Sequence, residues 1–186
     1  MYTVRQHRMV FTHSHLFEAA RVALREGHES GSIYDYMHAL ISAAFAIEAY
    51  LNFAGESLIP FWPSIERIST EGKLAVVCDR VAIAPDFGRR PYQSLRELWR
   101  FRNFLAHART ESPVENEWVQ REPTPIERPY PETAWEKQCS REPATRMLDD
   151  VEAIINELHQ KAGLSTGALG LLGLQGGHIR KKGDGA

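Results

Sequence analysis

Apolar positions recur every three or four residues in five stretches of the chain, and that period predicts helices. Leu16, Phe17, Ala20 and either Ala23 or Leu24 mark a first helix over about 9–26 that stops at Gly27. A polar turn, HESGS, leads to a second helix over roughly 32–53. Its apolar residues (Ile33, Met37, Leu40, Ile41, Ala44, Phe45, Ile47 and Leu51) cover most of its circumference, as expected of a central buried helix. The stretch IPFWP at 59–63 breaks the pattern. A shorter helix over 70–81 carries Leu74, Val77 and Val81 on one face, and Gly88 and Pro91 lead into a fourth over 92–108. The fifth has Ser140 as N-cap, Pro143 in its first turn, and Leu148, Val151, Ile154 or Ile155, and Leu158 as its apolar stripe, and it ends at Gly163. No stretch alternates as a strand does. The fold class read from this pattern is all-α, an antiparallel bundle of about five helices.

Two segments stand apart. Residues 112–143 hold six prolines and many acids and read as an exposed connection, tied to the core by Trp118, Tyr130 and Trp135. Residues 164–186 are glycine-rich with a small basic end and read as a flexible tail. The expected organisation is one helical domain over 1–163 followed by that tail.

Composition narrows the function. A net charge of -2 gives no general attraction to polyanions, so nucleic-acid binding needs a local patch. One exists along the chain: Arg89, Arg90, Arg96, Arg100, Arg102 and Arg109 are offset by a single acid, Glu97. Ten acids against five bases over 111–150 restore the balance, and these acids read as surface residues. The N-terminus lacks the apolar core of a signal peptide, and the apolar stretch 40–54 is too short to span a bilayer. Cys78 and Cys139, the two cysteines, read as reduced thiols. These features point to a soluble, cytoplasmic protein with no membrane partner. Ser-His-Asp, P-loop and Rossmann patterns are missing from the sequence.

The chemistry concentrates in RFRNFLAHAR, 100–109. Arginine is a permanent forked phosphate binder, and histidine exchanges protons near neutral pH. On a helical wheel Arg96, Arg100, Asn103 and His107 share a stripe, at spacings of four, three and four. Arg102 instead points into the apolar arc, where an unpaired charge is costly. Glu48, the sole charged residue between Asp35 and Glu56, is its expected partner, and Asn52 one turn later would extend the polar seam. His13 and His15 lie two apart and face different sides, against metal binding; Asp149 and Asp150 face apart, against a catalytic pair.

RNFLAH, 102–107, resembles the R-x(4–6)-H motif of the HEPN superfamily, in which a polar residue follows the arginine. AFAIEAYLNF, 44–53, is similar to the second helix of that superfamily, with its E-A-x-x-N pattern, and the likeness runs in order over about 9–162. It implies a helical domain that forms homodimers and acts as a metal-independent endoribonuclease without a cofactor. His107 would be general base or acid, Arg102 would stabilise phosphate charge, and Asn103 would orient His107 or the phosphate, with Arg96 and Arg100 holding the RNA backbone. Arg102 and His107 lie ~140° apart on a regular helix. Either a long side chain or a fraying helix end closes that gap, or Arg102 is structural and Arg100 touches phosphate. A role as toxin or defence component, restrained by an antitoxin or other partner protein, goes with this reading. The alternative is a non-catalytic module that binds nucleotides, RNA or protein.

Overall fold

The computed structural model describes residues 2–113 and 131–181, and within them the chain is mainly helical. In order the elements are β1 (Tyr2–Val10), α1 (Thr12–Ser30), α2 (Ile33–Leu58), α3 (Trp62–Ile65), α4 (Thr70–Arg80), α5 (Tyr92–His107), α6 (Ala134–Gln138), α7 (Arg141–Ala162) and β2 (Gly173–Lys181). The central element is α2, packed against α1, α4, α5 and α7. Its Leu40, Ala43, Ile47, Tyr50, Leu51 and Ala54 are fully buried. They meet Leu74 and Val77 of α4, Leu95 and Leu98 of α5, and Ile154, Ile155 and Leu158 of α7 in one core. Burying such side chains contributes about 1.5–3 kcal/mol apiece before conformational entropy is counted.

At 26 residues α2 is also long and apolar enough, by length and composition, to cross a membrane. This corrects the view of the 40–54 stretch as too short, because the helix runs beyond that stretch at both ends. In the fold about half of its apolar stretch is buried, against the helices packed on it, while Tyr34 and Phe45 stay exposed.

The helices keep the expected periodicity, and their ends shift for local reasons. The first begins at Thr12, because residues 2–10 are a strand, and it runs through Gly27 to Ser30. Gly27 stays helical because the Tyr36 ring of α2 packs on it: a Cβ there would lie 2.9 Å from the ring. The stop falls at Gly31, whose φ of 69° forms the left-handed cap. Ser140 stands at the N-cap of α7 but makes no capping hydrogen bond; its hydroxyl donates to the Lys137 carbonyl at 3.0 Å. Within the Pro-rich connection, α6 starts on a capping box of Thr133 and Glu136. Trp135 of α6 packs against the core as expected, whereas Trp118 and Tyr130 lie outside the described residues.

The expectation of no strands is corrected. β1 and β2 pair antiparallel from Tyr2↔Lys181 to Val10↔Gly173, so part of the segment read as a tail is held in a two-stranded ribbon. Neither strand alternates cleanly in hydropathy, because the ribbon projects from the helices: Val4, Met9, Val10 and Leu174 all remain exposed. Its root is fastened to the helices. Phe11 is buried and donates its N–H to the Leu172 carbonyl, and His13 Nε2 lies 2.6 Å from the Gly167 carbonyl oxygen.

Candidate functional site

The site forms where α5 packs on α2, beside the start of α4. Leu95, Leu98, Trp99 and Phe101 bury one side of α5 and thereby fix which residues of the helix face outward. Arg96, Arg100, Asn103 and His107 are all exposed. Arg102 sits at the boundary, with its side chain 27% exposed.

Arg102 and Glu48 are in contact: Nη2 donates to Glu48 Oε2 at 2.5 Å. The other Glu48 oxygen accepts from Lys73 Nζ of α4 at 3.4 Å. One carboxylate thus balances two cations, which ties α2, α4 and α5 together. Lys73 is only 5% exposed, and a buried ammonium needs such a partner. The sequence reading passed over Lys73, although it lies four residues before the core residue Val77. That spacing was the available signal, because it places Lys73 on the apolar face.

Asn103 turns out to serve Arg102. Its Oδ1 accepts from Arg102 Nη1 at 2.9 Å, so its carboxamide is engaged by the arginine instead of His107. Phe45 of α2 adds a ring face 5.8 Å from the Arg102 guanidinium carbon. Two of the three guanidinium nitrogens are therefore aimed by protein groups, while Nε is buried without a partner among the described residues. Glu48, Trp99, Arg102 and Asn103 line a cleft of about 390 Å³ with Ile68, Ser69 and Thr70.

Asn52 does not extend this seam. It lines a separate hollow with Phe11, His13, Phe53 and Glu56, its Oδ1 buried and without a partner among the described residues. One turn along α2 also rotates a residue by about 40°, enough to move Asn52 toward α1.

His107 is the last residue of α5; at Ala108 the chain turns extended, with ψ of 143°. The imidazole is exposed and makes no hydrogen bond to the described residues. A free ring at a helix terminus can move toward a substrate.

The arginine-rich segment is largely spent on internal partners. Arg90 makes a bidentate pair with Asp150 of α7 at 2.8 and 2.9 Å. Arg89 meets Asp86 at 3.7 Å, and the Arg96 guanidinium lies over the Phe87 ring at 4.8 Å. Among the described residues, Arg100 and Arg109 have no acidic partner. The surface assignment of the acids over 111–150 is corrected at Asp150, which is 6% exposed. It sits three residues after Met147 and four before Ile154, on the buried face of α7.

No protein-family model, curated protein or solved structure matches the chain.

Proposed function

We propose that the protein is a HEPN-like, metal-independent endoribonuclease built as an antiparallel helical bundle and working as a homodimer. The observation that carries this reading is the aimed guanidinium of Arg102, held by Glu48 and Asn103, on the helix that ends in an unengaged His107. RNA supplies its own nucleophile, so the reaction needs only proton transfer and positive charge. The 2′-oxygen attacks phosphorus as its proton passes to a base. The 5′-oxygen leaves with a proton from an acid, giving a 2′,3′-cyclic phosphate and a 5′-hydroxyl. One chain offers one motif histidine; a two-fold dimer would place two copies of His107 and Arg102 in one cleft and fill both proton-transfer roles. Arg100, without an acidic partner among the described residues, is the cation best placed to hold the RNA backbone, with Arg96 beside it. A cytoplasmic toxin or defence role, under a restraining partner protein, fits such an activity.

The test is cleavage of single-stranded RNA in EDTA by the parent and by His107→Ala. Metal-free cutting that disappears in the variant supports the reading. Cutting that persists in His107→Ala, or that needs a metal, overturns it.

One observation favours a second reading, a non-catalytic RNA-binding or protein-interaction module. Arg102 already has two nitrogens committed inside the protein, as a purely structural arginine does. RNA binding by the parent without turnover would decide for it.

A further inference from the structure

Beside the exposed face of α5 lies a slot of about 220 Å³. Arg100, Phe101 and Phe104 of α5 form one wall, and Ala134, Trp135 and Gln138 of α6 form the other. Its chemistry is unlike that of the neighbouring Glu48 cleft. Phe101 is buried, Phe104 is 38% exposed and Trp135 is half-buried, so aromatic surface dominates. Gln138 adds a polar edge, and its Oε1 is buried with no hydrogen-bond partner among the described residues. Such an unpaired acceptor is costly, and a ligand that brings an N–H donor relieves the cost. Arg100 stands over the slot, exposed and without an acidic partner among the described residues.

We infer that this slot is a nucleobase subsite, in which an RNA base with an exocyclic amino group stacks on Phe104 and Trp135 and donates to Gln138 while Arg100 holds its phosphate. The inference rests on the RNA reading above and gives it a substrate preference. Aromatic stacking alone accepts every base, since each has a π face. Discrimination comes from the edge: adenine and cytosine present an amino group to the Gln138 acceptor, and uracil presents a carbonyl in the corresponding place. Phe104 is three residues before His107, so a base in the slot lies within one helical turn of the motif histidine. A negatively charged backbone suits the site better than an apolar peptide does, because Arg100 is the only charged residue lining it among those described.

The test measures binding of five-nucleotide oligo(rA), oligo(rC) and oligo(rU) to the full chain carrying His107→Ala, so that the probes survive whatever becomes of the cleavage reading. Oligo(rA) and oligo(rC) are expected to bind about tenfold more tightly than oligo(rU). Gln138→Leu should erase that difference and leave the oligo(rU) affinity in place. Phe104→Ala should weaken all three by about tenfold, with an unchanged circular dichroism spectrum. Equal affinity for the three probes, or a preference that survives in Gln138→Leu, overturns the subsite. A Phe104→Ala protein that changes its solution mass and keeps the parental base preference makes the slot a protein contact and also overturns it. Base-blind binding, or no binding of the probes, with intact cleavage by the parent removes the subsite alone; failure to bind the probes together with no cleavage by the parent removes both readings.

Discussion

Glu48 of α2 and Arg102 of α5, 54 positions apart in the chain, meet through a 2.5 Å hydrogen bond, and Lys73 shares the same carboxylate. Removing the carboxylate strands two cations at once, one of them buried. Glu48→Ala is therefore expected to lower stability by about 2–4 kcal/mol, measured by urea denaturation. Lys73→Met, which removes a cation and keeps an apolar stem, should cost markedly less. Equal losses in the two variants would show that Glu48 does not answer for both charges.

His107 has the opposite profile. Exposed and without a hydrogen bond to the described residues, it contributes little to the fold. His107→Ala should shift stability by less than about 0.5 kcal/mol while lowering RNA cleavage by ~10²-fold or more. A large drop in melting temperature would assign the ring a structural role.

Acid should loosen the ribbon's root. Burial holds the His13 imidazole below its ordinary value of 6.5, opposed in part by its hydrogen bond to Gly167 and helped by His159 nearby. His159 is lowered as well, chiefly by burial. Below pH 6.5 the unfolded chain thus takes up protons that the folded chain refuses, so stability is full above that pH and declines as pH falls below it. Thermal melts from pH 7.5 to 5 should show this decline, with a shallower slope in His13→Gln. Parallel slopes would place the titration elsewhere.

Asp149 and Asp150 are neighbours with unequal burdens. Asp150 is buried in a bidentate pair with Arg90, whereas Asp149 is exposed. Asp150→Ala is expected to cost about 1–3 kcal/mol, less than for a fully enclosed pair because the Arg90 side chain is 54% exposed and rehydrates. Asp149→Ala should stay within about 0.5 kcal/mol in the same denaturant titration.

The ribbon depends on both ends of the chain. Truncation after Leu172 removes every partner of β1, and an isolated strand does not hold its amides. Hydrogen exchange at residues 4–10 should accelerate sharply, with little change in the amides of α2 and α7. Unchanged protection of β1 would mean that something other than β2 shields it.

The helices and their buried faces were legible in the sequence because a 3.6-residue period is a local property: Leu95, Leu98 and Trp99 declare the inner side of α5 without reference to any other segment. That period also set Arg102 apart from Asn103 and His107, and a charge in an apolar arc called for a partner such as Glu48. Other features depend on segments distant in sequence. β1 shows no clean alternation, since residues 4–10 are exposed on both faces, and its partner lies more than 160 residues away. Gly27 reads as a stop signal until the Tyr36 ring is seen to fill the space its missing side chain leaves. Asp150 reads as a surface charge until its burial next to Arg90 is known, Lys73 gains its meaning only from the Glu48 carboxylate beside it, and Asn103 faces outward like His107 yet bonds to Arg102. The sequence by itself determined which face of each helix is apolar and where arginine and histidine side chains cluster. Only the tertiary structure decided which charges neutralise one another, because pairing depends on distances between helices that no local pattern encodes.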